Sequence, residues 1–171
     1  RPLAENTRVL DASSDPRLTL ELLRFNLETN LRHTRLSGRP FHHLTRELDE
    51  ALAEMRRAAA TCGGRVVTIG ILPTLRAGDL RHDSMTDLRR FHALSQSIRE
   101  RRRADFDLAI DGEDTLRVRW DDLTPEGANT SFQIHLSAAP CEFSDLFNAA
   151  QLATAPVLAV AGNSPTFLGR R

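Results

Sequence analysis

Lysine is missing: all 23 basic residues are arginine. A P-loop lysine and a Schiff-base lysine are therefore excluded from this chain. Guanidinium forks match carboxylates and phosphates in the plane, so the arginines suit anion binding. A coding bias towards arginine is the simpler source of the same composition. Net charge is absent too, because 23 acidic side chains balance the 23 basic ones. No global field draws the chain to nucleic acid or to an anionic membrane. Cysteine is scarce, and Cys62 and Cys141 stand too far apart for a metal-ligand spacing. A reduced, cytoplasmic protein is the expectation. No signal peptide opens the sequence. The most apolar run, 149–162, is broken by Gln151, Thr154 and Pro156. It falls short of the roughly 20 apolar residues of a membrane span. Aromatics make up 5% of the chain, so platforms for stacking nucleobases are few. The basic run RERRR at 99–103 reads as a solvated helix end that suits the helix dipole. No G-x-S-x-G, H-E-x-x-H, G-x-G-x-x-G or Walker sequence occurs, and no internal repeat.

What is present fits one domain of 171 residues, or an excised piece of a larger one, since the first residue is Arg1 and not Met. Residues 1–17 are polar and turn-rich and read as a loop or entry arm. Over 23–29, Leu23, Phe25 and Leu27 alternate with Arg24, Asn26 and Glu28, the period of a strand. Residues 40–61 carry Leu44, Leu48, Leu52 and Met55 at helical spacing, and Gly63-Gly64 stops that helix. RVVTIGIL at 65–72 reads as a central strand ended by Pro73, and 73–84 as irregular. A second helix is expected over 85–103. FDLAI at 106–110 and TLRVRW at 115–120 flank Asp111-Gly112 and predict a hairpin. A loop follows over 121–128. NTSFQIHLS at 129–137 alternates again and reads as a strand, and 142–160 as an apolar helix with a loop after it. Together these predict an α+β domain with a largely antiparallel sheet and helices covering one face.

Two of the expected strands have an unusual polar side. Asn26, Glu28 and Asn30 share one, Gln133 and His135 the other. Carboxylate oxygen and imidazole nitrogen are suitable ligands for a divalent metal. Polar residues on a solvated sheet face need no such role, and both readings stay open at this level. His33, His42 and His43 form no recognised ligand spacing and read as surface residues.

Four segments carry a resemblance. TSFQIHL at 130–136 runs on to NAAQ and GNSP; LLRFNLETNL lies at 22–31, MTDLRRFHAL at 85–94 and GILPTL at 70–75. Taken in chain order they resemble the glutamate–cysteine ligase family: its T-x-Q-V-N-L strand and A-N-S-P turn, its G-R-F-N-x-E-x-N strand, and its M-x-x-x-x-R-Y-x-x-L helix. The resemblance implies part of a glutamine-synthetase-like catalytic fold. It implies amide formation between an amino-acid carboxylate and an amine, with ATP first phosphorylating the carboxylate. It implies Mg²⁺ held by Glu28 with His135, nucleotide or substrate contacts from Gln133, His135 and Asn163, and an anion-binding catalytic role for Arg90. Asn163 reads equally as a tight turn before Pro165. The implied partners are ATP and the two substrates, with no nucleic acid and no membrane, in a homo-oligomer. Phe91 stands where the family has Tyr, and the family's acidic G-x-E-x-E strand is not among these residues. The expectation is a fragment of the catalytic domain, inactive by itself. The competing expectation is a binding or regulatory module that keeps the fold without the chemistry.

Overall fold

The computed structural model describes residues 1–171 and has α+β architecture. It begins with a short helix, α1 (Asn6–Asp11), followed by strands β1 (Leu18–Leu20) and β2 (Leu27–Thr29). Long helix α2 is Pro40–Thr61 and α3 is Arg89–Arg102. Strands β3 (Phe106–Asp111) and β4 (Thr115–Trp120) come next, then α4 (Thr124–Gly127) and α5 (Phe143–Ala161). The strands form two separate antiparallel pairs, β1 with β2 and β3 with β4, where one larger sheet was expected.

Helix α2 has the bounds its sequence predicts. Pro40 sits at the start, where its missing N–H costs nothing. Gly63 takes φ of 73°, and the Gly64 N–H returns to the Ala59 carbonyl at 2.9 Å. The buried stripe is not the leucine row, however. It runs through Glu47, Ala51, Met55, Ala58 and Ala59, because small residues let α1 and the N-terminal segment lie close. Residues 1–17 are thus no free arm: they include α1 and are tied down. Ser13 donates to the Glu54 carboxylate at 3.0 Å, and Arg17 reaches Glu47 at 3.4 Å. Arg32 donates to the same Glu47 oxygen from its backbone N–H and from Nε. Burial pushes the Glu47 carboxyl up, but the hydrogen bonds and charges of Arg32 and Arg17 outweigh it and hold the group below the usual carboxylate range.

The period-two run at 23–29 is divided. Leu23 bridges Met85 in antiparallel fashion, with Arg24 N–H donating to Ser84 and Thr86 N–H to Leu22. The chain then bends, and only Leu27–Thr29 joins the β1–β2 hairpin. This pairing also explains why α3 starts at Arg89 and not at 85: the backbone of 84–86 is already bonded to 22–24. Buried Asn6 fastens the junction, its Nδ2 donating to the Leu23 and Asn26 carbonyls and to Thr86 Oγ1.

The β3–β4 hairpin falls where Asp-Gly placed it, with Asp111 opposite Thr115. The segment 121–128, expected as a loop, contains α4. Three small apolar clusters make the core: Leu22, Met85, Phe91 and Leu123; Leu23, Leu75, Leu80 and Ala128; Val9, Ala58 and Ala59. Trp120 joins the hairpin to the second cluster and donates from Nε1 to the Leu80 carbonyl at 3.1 Å.

Two expected strands are extended but almost unpaired. Residues 65–72 and 129–137 share one antiparallel bridge, Ile71 with Asn129, and no ladder beyond it. Helix α5 forms as expected, yet none of its 19 residues is buried. No helix is long and apolar enough to cross a membrane.

Candidate active site

Glu28 lies on β2 directly opposite Thr19 of β1, and Thr19 Oγ1 donates to its carboxylate at 3.4 Å, a long contact. The carboxylate is exposed. Arg90 comes from the first turn of α3. It donates through one terminal nitrogen to the Leu20 carbonyl at 3.0 Å, and its guanidinium lies over the Phe91 ring, 4.5 Å from the centroid. Leu20 is the neighbour of Thr19 on β1. One hairpin therefore gathers two of the sequence-predicted residues, Glu28 as a strand residue and Arg90 through a backbone bond. Phe91 is buried in the first cluster, so the arginine has a fixed base. Its remaining N–H donors suit a carboxylate or phosphoryl oxygen.

A second group forms around Gly70. Its N–H donates to Asn163 Oδ1 at 2.9 Å, and its carbonyl accepts from Thr130 N–H at 2.7 Å. Thr130 Oγ1 also donates to the carbonyls of Ile69 and Gly70. A Cβ at position 70 would press on the side chains of Ser164 and Asn163 and push them aside, so glycine lets the two segments approach this closely. The GILPTL and GNSP segments, far apart in sequence, thus meet. Gln133 and His135 are both exposed, with His135 Nε2 at 3.4 Å from Gln133 Oε1. They share no sheet with Glu28. Glu28 belongs to the β1–β2 pair, and 129–137 joins no sheet. The reason is backbone supply: β2 finds its partner locally in β1, with Glu28 opposite Thr19, nine residues upstream.

Two carboxylates escaped the sequence reading. Desolvation, then the nearby Glu21 charge, raises the Glu126 carboxyl above its usual range. Glu21 follows β1 and accepts the Leu22 N–H at 2.9 Å. Glu126 sits on α4. No spacing in the sequence signals this pair, because α4 reaches the hairpin only through tertiary packing. One link is the Asn26 Nδ2 bond to the Gly127 carbonyl at 2.6 Å.

No three His, Cys, Asp or Glu side chains converge on a metal-holding geometry. The donors present therefore fit no cage built of protein alone. Mg²⁺ commonly takes one or two carboxylates, and water and phosphate oxygens complete its octahedron. Glu28, exposed and lightly engaged, fits that role.

The family model described as glutamate-cysteine ligase family 2 (GCS2) matches residues 1–171, the whole chain. No curated protein and no solved structure matches it.

Proposed function

The chain belongs to glutamate-cysteine ligase family 2, and from that premise we propose that it supplies part of the active site of an ATP-dependent carboxylate–amine ligase with a glutamine-synthetase-like catalytic fold. The match over residues 1–171 carries this reading. In the first half-reaction a substrate carboxylate oxygen attacks the γ-phosphorus of ATP, ADP leaves, and an acyl-phosphate forms. In the second the amine attacks the acyl carbon and phosphate leaves with the bonding electrons, giving an amide. Bringing a carboxylate to a triphosphate opposes two anions, and cationic groups must offset that repulsion.

Arg90 serves this need. Its bond to the Leu20 carbonyl fixes one end of the guanidinium and leaves the other for a carboxylate or phosphoryl oxygen. Glu28 would hold Mg²⁺, which when bound would neutralise phosphate charge. Gln133 and His135 offer an amide and an imidazole to the nucleotide or to the metal. Asn163 spends Oδ1 on Gly70 and keeps its Nδ2 donor for the nucleotide. The enzyme acts in the cytoplasm as a homo-oligomer, and its partners are ATP, an amino acid and an amine.

The test is ADP release by the full-length protein with Mg–ATP, glutamate and a panel of amines that includes cysteine. Release dependent on both glutamate and an amine, and abolished in Glu28→Ala, supports the reading. Nucleotide affinity and turnover unchanged in that variant would sink the assignment of Glu28. Release independent of either substrate would sink the ligase.

A further inference from the structure

The single bridge between Ile71 and Asn129 sets a register for everything beyond it. In an antiparallel pair each step back along one strand is a step forward along the other. Ile69 then faces Ser131, Val67 faces Gln133, and Arg65 faces His135. These three pairs share one side of the ladder, because side chains alternate. Val66 falls opposite Ile134 and Thr68 opposite Phe132 on the other side.

The exposures of Val66 and Val67 follow this division, whereas Thr68 is exposed and Ile69 half-buried with the strap open. Val66 already packs against the Val9, Ala58 and Ala59 cluster, whereas Val67 is 60% exposed. Phe132 and Ile134 are 73% and 72% exposed, an unfavourable state for large apolar groups. On the closed ladder they lie on the Val66 side, towards that cluster. What interrupts the ladder is visible: the Gly70 N–H, which the next rung would send to the Thr130 carbonyl, is taken by Asn163 Oδ1.

We propose that residues 65–70 and 130–135 are the two halves of an antiparallel strap that zips closed from the Ile71–Asn129 bridge once Asn163 Oδ1 releases the Gly70 N–H, placing Arg65 beside Gln133 and His135 as a further anion-binding residue. Closure removes Phe132 and Ile134 from water and turns a polar face, Arg65 with Gln133 and His135, outward together. Arg65 then presents a guanidinium fork to anionic oxygens, those of the nucleotide phosphates or of the substrate carboxylate. The role of Arg65 rests on the ligase reading. The strap itself does not.

Disulfide trapping tests the strap. In a Cys62→Ser, Cys141→Ser background, the pair Val67→Cys with Gln133→Cys is expected to crosslink under mild oxidation, since facing residues of this type lie about 4.5 Å apart at Cα. The slipped pair, Val67→Cys with Ile134→Cys, points to opposite sides and stays reduced. Equal crosslinking of both pairs, or of neither, overturns the strap. Titration of the otherwise native chain with Mg–ATP, and separately with glutamate, tests Arg65. Arg65→Ala is expected to weaken one of the two by about 10- to 100-fold, the size of a charged hydrogen bond, and the affected arm identifies the anion. Native affinity for both ligands overturns the role of Arg65. A native chain that binds neither overturns the ligase reading and that role with it, while the crosslink still decides the strap.

Discussion

Residues 1–128 and residues 129–161 are built on different terms. The first region contains every buried apolar residue of the molecule, from Val9 to Ala128. Its elements touch through long-range contacts: Leu23 with Met85, Asn6 with Thr86, Trp120 with Leu80. The second region is more apolar in sequence, yet it lies open. Helix α5 carries Leu152 at 82% exposure and Val160 at 87%. Hydrophobicity alone therefore does not make a core. A core needs a partner face at the right distance, and the first region has three apolar clusters, whereas the second bonds to the rest around Ile69, Gly70 and Ile71 and, next in sequence, at Pro125 and Glu126.

The largest test of this contrast is amide exchange. Amides of β3, β4 and α2 are expected to open only with global unfolding, whereas those of 131–139 exchange with opening free energies near zero. Comparable protection in both regions would break the comparison. Mutation sharpens it. Leu23 is fully buried between two packed segments, so Leu23→Ala should cost about 2–5 kcal/mol in urea unfolding. Leu152→Ala should stay within about 0.5 kcal/mol, as a surface change does. A large loss at Leu152 would mean that α5 has a covered face.

Within the first region, Glu47 shows how polar groups hold the frame. It ties Arg17 and Arg32 to α2. Glu47→Gln keeps the shape and removes the charge, and should cost about 2 kcal/mol at neutral pH. The sign with pH is fixed by the depressed carboxyl. Its stabilisation is present above the ordinary carboxylate range and is lost as pH falls through the lower folded value. Native chain and variant should therefore converge in acid. A gap that does not shrink in acid would assign the loss to packing.

The same contrast governs what could be read from sequence. Helix α2 and the β3–β4 hairpin were legible because their signals are local: a proline start, a glycine stop, an Asp-Gly turn. The strands expected at 65–72 and 129–137 have the right residues, a continuous apolar run in the first and alternation in the second, but a strand exists through its partner, and Asn163 claims the Gly70 N–H that the pairing needs. The division of 23–29 was hidden for a similar reason, since its partner is the backbone of 84–86, some 60 residues away. In the candidate site, the residues of the resemblance were legible as types. That Arg90 reaches the hairpin of Glu28 was not, because the bond goes to a backbone carbonyl and leaves no mark on the sequence.

Glu21 and Glu126 were the least legible and carry the smallest predicted effect. The Glu126 carboxyl is raised by desolvation and by the Glu21 charge, so the folded state binds its proton more tightly than the unfolded chain does. Below the ordinary carboxylate range both states are protonated and nothing is lost. As pH rises through the raised folded value, ionisation costs the folded state more than the unfolded one. Glu126→Gln should thus raise the melting temperature slightly at neutral pH, and the gain should vanish in acid. Loss of stability at neutral pH would mean that the ionised carboxylate is held by a partner. That result would move the pair from a strained corner of the packed region to a cation-binding one, and would tie α4 to the same hairpin as Glu28 and Arg90.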